Sequence, residues 1–304
     1  MTPLRVGTRG SRLALWQANY VADRLKQACP DRAIELVEIQ TAGDRIRDVP
    51  LAQVGGEGVF TKEIQRALLE NNVDVAVHSL KDLPTTEVSG LMLAAVPVRA
   101  ARADVFVSRR HACFDDLPDD ARLATSSPRR RAQALFRRPD LQLVDIRGNV
   151  ETRLRKLEEQ ELDGLLLAQA GLERLGLGAE ITEVLDVTWM VPAVGQGALG
   201  LECRADDETT ANCLRQLDDG TARHAALAER ALLRHLGGGC QVPIGAHTSL
   251  QDTLLTLRGV VLAPDGSERI EGSETGPLED AERLGEVLAR NLLNMGAREL
   301  LARQ

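Results

Sequence analysis

The residues with the clearest chemical potential lie in the stretch HLGGGCQVPIGAH, residues 235–247, where three consecutive glycines precede Cys240. Glycines leave the approach to the sulfur free of side chains and let the backbone come close to a neighbouring group. They also cost conformational entropy, and a cysteine that only packs in a core gains nothing from them. The pattern therefore predicts that Cys240 is a functional thiol.

The other four cysteines have structural explanations. Cys203 falls in the strand-like GALGLEC and Cys213 in the helical ANCLRQL, where a thiol acts as a small hydrophobic side chain. Cys29 precedes the helix-ending Pro30, and Cys113 lies in a polar loop. An odd count of five cysteines without a C-x-x-C motif indicates reduced thiols and not a disulfide framework.

Histidines close to Cys240 raise the question of a zinc site. His235 and His247 lie on either side of Cys240, and His224 lies upstream. The spacing H-x4-C-x6-H matches neither a zinc finger nor a catalytic zinc pattern. We therefore predict no metal site.

Asp82 is the acidic candidate. It follows Lys81 in the motif HSLKDLP, in a loop after a predicted strand, and Lys81 is one of only four lysines in the chain. A carboxylate in such a loop can stabilise positive charge that develops in a reaction, or transfer protons. A turn cap or a salt bridge to Lys81 is the structural alternative.

Basic residues are concentrated in one segment of an otherwise acidic chain. Residues 129–156 carry a net charge of +6, against −14 for the remainder. A local basic patch on an acidic protein favours a small polyanion over a nucleic acid, and seven aromatic residues in the chain offer no base-stacking surface. Salt bridges on a solvated helix would explain Arg155 and Lys156, but not Arg129, Arg130 and Arg147.

Strands and helices alternate along the first two thirds of the chain, as they do in α/β domains. Short apolar runs predict strands, and apolar residues at a 3.6 period predict helices. The alternation restarts after PVRAARAD, which predicts two α/β modules of similar size. The predicted strands are 4–8, 34–41, 73–79, 90–97, 121–125, 141–146 and 163–168, with helices beginning near 12, 61, 128, 150 and 170.

Each module contains a strand followed by Thr and by a helix start with Ser and Arg: TRGSR at 8–12 and TSSPRR at 125–130. Ser126 or Ser127 would be the N-cap of the second helix, with Pro128 at its first position. A helix N-terminus offers unpaired N–H groups and the positive end of the helix dipole. The sequence thus predicts two anion sites, which could face each other across a cleft.

The pattern changes after VPAVGQGALGLECR. A helix over about 222–235 leads into the GGGC segment, and alternating residues on either side of an APDGS turn predict antiparallel strands. A long amphipathic helix is predicted over about 279–302. We expect a small α+β domain here.

Six segments, in colinear order from about residue 4 to the C-terminus, together resemble the porphobilinogen deaminase family, also called the hydroxymethylbilane synthases. The segments are TRGSRLALWQ, VDVAVHSLKDLP, TSSPRRR, DIRGNVETRL, VPAVGQGALGLEC and GGGCQVPIGAH. The resemblance implies two α/β domains like those of periplasmic binding proteins, joined by a hinge with a cleft, and a small α+β C-terminal domain. The implied boundaries are 1–97 with 198–217 for domain 1, 98–197 for domain 2 and 218–304 for domain 3.

The resemblance also implies a reaction. In that family, four porphobilinogen molecules lose ammonia and join head to tail on a dipyrromethane cofactor, and hydrolysis releases the linear tetrapyrrole hydroxymethylbilane. The cofactor is assembled from the substrate and attached to a cysteine by a thioether, which matches Cys240 in this chain. The glycines would let a loop hold this bulky covalent group.

The remaining roles follow from the family motifs. Asp82 matches the catalytic aspartate. Each pyrrole carries an acetate and a propionate, so arginines are natural partners for the growing chain. By resemblance, the residues that bind these carboxylates are Arg9, Ser11, Arg129, Arg130, Arg147 and Arg153. The residues around the cofactor are Ser79, Lys81, Thr125, Ser126 and Ser127. Gln17 and Gln196 line the cleft, Phe60 stacks on an incoming pyrrole, and the surface residues are Arg131, Arg137 and Arg138.

The sequence departs from the family pattern at a few positions. Gln53 and Glu57 stand in a lid-like stretch where the family often has lysines, which weakens any role of that stretch in holding carboxylates. Gly10 and Arg12 replace a more usual Gln and an uncharged residue, and we expect Arg12 or a neighbouring arginine to compensate for the weakened lid. Pro128 replaces an apolar residue and is compatible with a first helical turn.

Two other functions fit parts of the sequence. A non-catalytic, two-lobed sensor of polycarboxylates would explain the α/β lobes and the arginines, but not the thiol beside three glycines. A thiol-dependent transferase of another kind would explain the thiol. The N-terminus has no apolar signal core and no apolar run reaches the ~18 residues of a membrane span, so we expect a cytoplasmic protein. We also expect a monomer without an obligate protein partner.

Overall fold

A computed structural model describes residues 3–41, 58–237 and 242–303. The predicted cofactor anchor Cys240 and the lid-like positions Gln53 and Glu57 lie outside these residues. The chain divides into two compact units. Unit 1 contains residues 1–100 and 197–226, and unit 2 contains residues 101–196 and 227–304.

Unit 1 is built on a five-stranded sheet with the order β2-β1-β3-β10-β4. The neighbouring strands β2, β1 and β3 are parallel, and β10 is antiparallel to β3 and β4. The helices of this unit bury their apolar faces on the sheet. Its strands are β1 (Leu4–Thr8), β2 (Ile34–Glu38), β3 (Val75–Ser79), β4 (Leu91–Ala95) and β10 (Leu199–Arg204), and its helices are α1 (Arg12–Ala28), α2 (Lys62–Leu69) and α6 (Glu208–Arg215).

Unit 2 contains a second five-stranded sheet, with the order β7-β6-β8-β5-β9. Here too three neighbouring strands are parallel and a fourth, β5, runs antiparallel between the third and an edge strand. The two sheets therefore share one pattern of strand directions, as the repeated sequence pattern indicates. The elements are β5 (Asp104–Val107), β6 (Arg122–Ala124), α3 (Pro128–Arg137), β7 (Gln142–Val144), α4 (Val150–Glu159), β8 (Gly164–Ala168), α5 (Gln169–Arg174) and β9 (Glu183–Val184).

A third sheet lies in the C-terminal part of unit 2. It is the antiparallel meander β11-β12-β13, formed by β11 (Ile244–Gln251), β12 (Leu254–Leu262) and β13 (Arg269–Pro277). Helices α7 (Gly220–His235) and α8 (Ala281–Leu292) pack with it around a core that includes Leu232, Leu257 and Leu288. Helix α7 and strand β11 border the segment that contains Cys240.

The last helix is shorter than the sequence predicts. In place of one helix over about 279–302, α8 ends at Leu292, a π-type turn covers Leu293–Ala297, and the short α9 covers Arg298–Leu301. Gly296 has φ of +102° within this turn. Only glycine adopts such a backbone conformation without steric cost, and this residue interrupts the helix.

The prediction that all cysteines are reduced is wrong for one pair. Cys29, at the end of α1, and Cys213, in α6, form a disulfide across 184 residues of sequence. Their Cα atoms lie 6.2 Å apart, within the range that a disulfide spans. Cys113 and Cys203 are free.

The predicted fold class is confirmed: two α/β sheets are followed by a small α+β part. Residues 199–204 join the first sheet. The division into three domains stays a prediction, because chain contacts place the second and third sheets in one unit. The hinge and the cleft also stay predictions. No helix in the described residues is long and apolar enough to span a membrane.

Candidate active site

The first candidate residues lie where β1 leads into α1. Oγ of Ser11 accepts a hydrogen bond from the backbone N–H of Ala14 at 3.3 Å and so caps the helix. The guanidinium group of Arg9 lies over the ring of Phe60, with Cζ 4.1 Å from the ring centroid, as in a cation–π contact. The structure therefore brings together Arg9 and Phe60, both of which the resemblance assigns to pyrrole binding.

The end of β3 is tied to α1 by a hydrogen bond between side chains. Nε2 of the buried Gln17 donates a hydrogen bond to Oγ of Ser79, the last residue of β3, at 2.8 Å. Both residues were predicted to belong to the site, and the structure places them in direct contact.

A single 3₁₀ turn, Leu80–Asp82, follows β3. Its first residue anchors it: Leu80 is buried, and its N–H donates to the carbonyl oxygen of Ala198 at 3.0 Å. A Cβ atom at Gly200 would lie only 2.9 Å from Leu80 Cδ1, so the glycine in GALGLEC allows this close approach. Lys81 and Asp82 are held half-exposed beyond this anchor.

The Asp82 carboxylate is available for chemistry. Within the described ranges no hydrogen bond or ion pair engages it, and the turn has no side-chain cap. Neither structural alternative from the sequence, a turn cap or a salt bridge to Lys81, therefore occurs in this part of the chain. An anchored carboxylate without a partner can interact with positive charge on a bound molecule.

Sequence reasoning missed a buried polar cluster behind this turn. Nε2 of His78 lies 2.9 Å from Oε2 of Glu202, and Nε2 of Gln65 donates to the same carboxylate at 3.1 Å. All three residues are almost fully buried. His78 is only one residue before Ser79, so the cluster fixes the end of β3. The only sequence signals were a charged residue within the apolar LGLEC and a histidine within VDVAVHS.

In unit 2, the predicted residues of the TSSPRR motif form the link between β6 and α3. Oγ of Ser126 donates to the carbonyl oxygen of Ile146 at 2.7 Å and accepts from the N–H of Ile146 at 3.0 Å. Ser127 is the N-cap of α3, and Oγ1 of the buried Thr125 accepts from its N–H at 3.2 Å. Pro128 occupies the first turn, as predicted.

Arg129 and Arg130 are buried around one carboxylate that the sequence interpretation missed. Asp104, the first residue of β5, is fully buried, and its Oδ1 accepts hydrogen bonds from Nε and Nη2 of Arg130 at 2.9 and 2.7 Å. Nη1 of Arg129 lies 2.7 Å from Oδ2 of Asp104. Two guanidinium groups around one carboxylate leave a net charge of one positive unit.

The remaining contacts of this pair are to backbone oxygens. Nη1 of Arg129 donates to the carbonyl oxygen of Val191 at 2.6 Å, and Nη1 of Arg130 donates to that of Leu166 at 3.1 Å. Burial lowers the pKa of Arg129, as does the charge of Arg130, whereas Asp104 raises it. Direct contact of either arginine with a substrate carboxylate stays a prediction.

Gln196 joins the same group. Its Nε2 donates to Oδ1 of Asp104 at 3.0 Å and to the carbonyl oxygen of Arg102 at 2.7 Å. The residue is 1% exposed. In this structure Gln196 is thus a buried partner of Asp104, and its predicted role in lining a cleft is not tested.

Arg147 and Arg153 lie at the turn that leads into α4. Arg147 is half-buried, and its guanidinium group has no ion pair among the residues described. Nε of Arg153 donates to the carbonyl oxygen of Gly148 at 2.8 Å. Asn149 caps the helix by accepting from the N–H of Thr152 at 2.9 Å. Arg147 is therefore the candidate with most freedom to bind an anion.

The arginines assigned to the surface bind aspartates of their own unit. The bonds of Arg137 to Asp115 measure 3.0 and 2.6 Å, and Arg138 binds Asp140 at 2.8 and 2.7 Å. Nη1 of Arg131 lies 3.8 Å from Asp145. These pairs separate Arg131, Arg137 and Arg138 from the candidate binding residues, as the sequence analysis expects.

Two buried aspartates should make the stability of the fold sensitive to acid. Burial alone raises the pKa of Asp74, but hydrogen bonds from Arg5 and Arg204 lower it to about 2. Burial also raises the pKa of Asp104, but the charges of Arg129 and Arg130 lower it to about 2. Because these values lie below the ordinary 3.8, the stabilisation is complete above about pH 4 and is lost as the pH falls towards 2.

We therefore expect the free energy of unfolding, measured by urea denaturation, to fall as the pH decreases from about 4 to about 2. The Asp74→Asn variant should lose less stability over the same interval, because one of the two groups no longer titrates. An equal loss in the variant and the wild type would contradict this origin of the acid sensitivity.

Comparison with family models extends over both units. Residues 4–212 match the model for the porphobilinogen deaminase dipyromethane cofactor binding domain, and residues 224–294 match the model for the porphobilinogen deaminase C-terminal domain. The chain belongs to the porphobilinogen deaminase family. The first match contains every candidate residue named above, and Cys240 falls within the second. The resemblance drawn from six sequence segments is thereby confirmed.

Individual relatives are similar over almost the whole chain. The sequence is 51% identical to a porphobilinogen deaminase of Geobacter metallireducens, over 98% of this chain and 94% of that protein. It is 52% identical to a porphobilinogen deaminase of Desulforudis audaxviator, over 98% of this chain and 96% of the relative. A polycarboxylate sensor without catalysis is not favoured by these findings.

Solved structures that align with part of this chain include solute-binding proteins. The methionine binding protein MetQ is 14% identical, with a TM-score of 0.46 over 74% of this chain and 94% of that one. The L-cystine solute receptor of Neisseria gonorrhoeae is 13% identical, with a TM-score of 0.42 over 79% of this chain and 95% of that one.

Proposed function

We propose that the chain is a hydroxymethylbilane synthase. It deaminates four porphobilinogen molecules, joins them head to tail on a dipyrromethane held by Cys240, and releases hydroxymethylbilane by hydrolysis. The family assignment and the identity of about half of all residues to porphobilinogen deaminases support this proposal.

The donor groups of the chain fit a dipyrromethane. Such a molecule presents acetate and propionate carboxylates, which arginine and hydroxyl donors bind well. The hydroxyl groups of the TSSPRR motif lie at the start of α3, beside the net positive charge of Arg129, Arg130 and Asp104. Arg147 adds a cation without an ion pair in the described ranges. When bound, the dipyrromethane supplies the pyrrole carbon to which the next ring is joined.

In unit 1, Arg9 and Phe60 would bind the incoming pyrrole, and Ser79 and Lys81 would lie beside the cofactor. Arg9 provides a guanidinium group for a carboxylate, and Phe60 provides an apolar ring face for a flat ring; their contact fixes the distance between these two functions. Gln17 and Ser79 hold each other at the end of β3 and orient the turn that follows. Ser11 caps α1, and Lys81 lies in the turn beside Asp82.

The observation that carries the proposal is the position of Asp82. Loss of ammonia leaves a pyrrole ring short of electrons, and attack by the neighbouring ring develops positive charge near the ring N–H groups. A carboxylate that is anchored by Leu80, half-exposed and without an ion pair among the described residues can stabilise that charge and accept a proton. We therefore assign the chemical step to Asp82.

A stoichiometric assay tests the proposal against a binding protein. Purified protein is incubated with porphobilinogen, and the ammonia released and the linear tetrapyrrole formed are both measured. We expect four ammonia molecules for each hydroxymethylbilane. A sensor would bind porphobilinogen without releasing ammonia, and that result would overturn the proposal.

We also propose that the protein acts in the cytoplasm as a monomer without an obligate protein partner. Membership of the porphobilinogen deaminase family, whose substrate is a small molecule, supports this. A mass measured in solution by light scattering should correspond to a single chain of 33.0 kDa.

A further inference from the structure

A chain of buried polar contacts runs through unit 2 and ends at Asp104. Oγ1 of Thr248, on β11, donates to Oε1 of Glu229, on α7, at 3.0 Å, and the N–H of Gly195 donates to Oε2 of Glu229 at 2.8 Å. The next residue, Gln196, donates to Oδ1 of Asp104. Glu229 and Asp104 are both 0% exposed. The contacts therefore join the two elements that border the Cys240 segment to the carboxylate that holds Arg129 and Arg130.

The cluster of Asp104, Arg129 and Arg130 carries one uncompensated positive charge. Two buried guanidinium groups share a single carboxylate. In addition, Nε of Arg129 is buried and has no hydrogen-bond partner in the part of the chain that the structure describes. A buried donor without a partner is costly, and an anion would satisfy both the donor and the surplus charge.

Asp74 provides a contrast within the same chain. It too is buried between two arginines, Arg5 and Arg204, at 2.8 and 3.0 Å, and its pKa is also lowered to about 2. However, Arg204 has a second acidic partner, Asp207, at 3.1 Å, so the charges of that cluster balance. None of the candidate binding residues belongs to it.

We propose that Asp104 is a positioning residue for pyrrole binding. It neutralises one of the two guanidinium charges and fixes both side chains, so that Arg129 and Arg130 together present one net positive charge to one pyrrole carboxylate. Through Gln196 and Glu229, it also fixes this pair relative to the elements that border Cys240. The inference rests on the proposed function.

The test compares Asp104→Asn with the matched control Asp74→Asn. Each purified protein is titrated with porphobilinogen, and intact mass spectrometry counts the pyrrole units on the chain at each concentration. Asparagine keeps the shape of Asp104 but removes its charge and turns an N–H₂ group towards a guanidinium group. Because a hydrogen bond to a charged group is lost, we expect the half-saturating concentration to rise about 10- to 100-fold in Asp104→Asn. It should stay at the wild-type value in Asp74→Asn.

A steady-state assay separates positioning from catalysis. In Asp104→Asn the KM for porphobilinogen should rise by the same factor, whereas kcat should change less than about threefold, because the affected contact is present before and during the reaction. Urea denaturation of both variants checks that their stabilities decrease by similar amounts. If Asp104→Asn does not fold, Asp104→Glu and Asp74→Glu are compared in its place, and only the first should shift the titration.

The outcomes distinguish the inference from the proposed function. A shifted titration in the Asp104 variant alone supports the positioning role. A wild-type titration in that variant, or an equal shift in the Asp74 control, overturns the role while leaving the function intact. If wild-type protein adds no pyrrole units and releases no ammonia, the proposed function fails, and the inference fails with it.

Discussion

Replacing Asp82 with asparagine should reduce kcat for porphobilinogen consumption by about 100- to 10,000-fold, the range that general acid–base groups contribute. The amide keeps the size of the side chain but can neither stabilise positive charge nor accept a proton. Because Leu80 and not Asp82 anchors the turn, the fold and the pyrroles already on the chain should be unaffected. Rapid-quench measurement of ammonia release gives the rate directly.

The control for this change is Asp116→Asn. Asp116 is likewise the last residue of a single 3₁₀ turn, Phe114–Asp116, but is exposed in unit 2. It should retain the wild-type rate. A rate in Asp82→Asn within about tenfold of the wild type would remove Asp82 from the chemical step, since even a modest general acid or base contributes more.

Replacing Cys240 with alanine should abolish the covalent attachment of pyrroles and, with it, all turnover. Alanine has no sulfur atom with which to form the thioether, so the loss of attachment and turnover should be complete. The measurement is the intact mass of the denatured variant, before and after incubation with porphobilinogen, together with an assay for hydroxymethylbilane.

The free cysteines provide controls for the Cys240 variant. Cys113 is half-buried, and Cys203 is buried in the core of unit 1, where burial raises its pKa to about 11 and disfavours a reactive thiolate. Variants Cys113→Ala and Cys203→Ala should carry the same adduct as the wild type. Adduct formation in Cys240→Ala would show that another residue is the anchor.

Local sequence signals predicted most of the elements that hold the site. Local hydrogen-bond chemistry predicted an N-cap at Ser126 or Ser127 and Pro128 in the first turn, and the structure has the cap at Ser127 and Pro128 at the helix start. Apolar runs located most strands of the first two sheets to within a few residues, but β5 and β9 were not predicted. These features depend on neighbours in sequence, so a single sequence is enough to recognise them.

Contacts between distant residues were not predictable in this way. Asp104 lies 26 residues before Arg130 and 92 residues before Gln196. The local sequence ADVFV does not indicate which charged residues Asp104 will contact. The pairing of Cys29 with Cys213 depends on how α1 and α6 pack on one sheet. The interruption of the last helix depends on Gly296, and its positive φ could not be predicted because the apolar residues around it keep a helical period.

The candidate site residues show the same difference between local sequence signals and contacts with distant residues. The resemblance identified Arg129 and Arg130, but their burial around Asp104 and the surplus charge of that cluster emerged only from the structure. Conversely, Asp82 was identified with two structural alternatives, and the structure removed both within the described residues.

The most direct test of the account is the intact mass of the denatured wild-type protein, followed by peptide mapping around Cys240. We predict a mass above that of the unmodified chain by two condensed pyrrole units, located on the peptide that contains HLGGGCQVPIGAH. If the purified protein lacks the adduct, incubation with porphobilinogen should create it on the same peptide. A chain that stays unmodified before and after this incubation would contradict the assignment of a covalent dipyrromethane to Cys240 and the activity that depends on it.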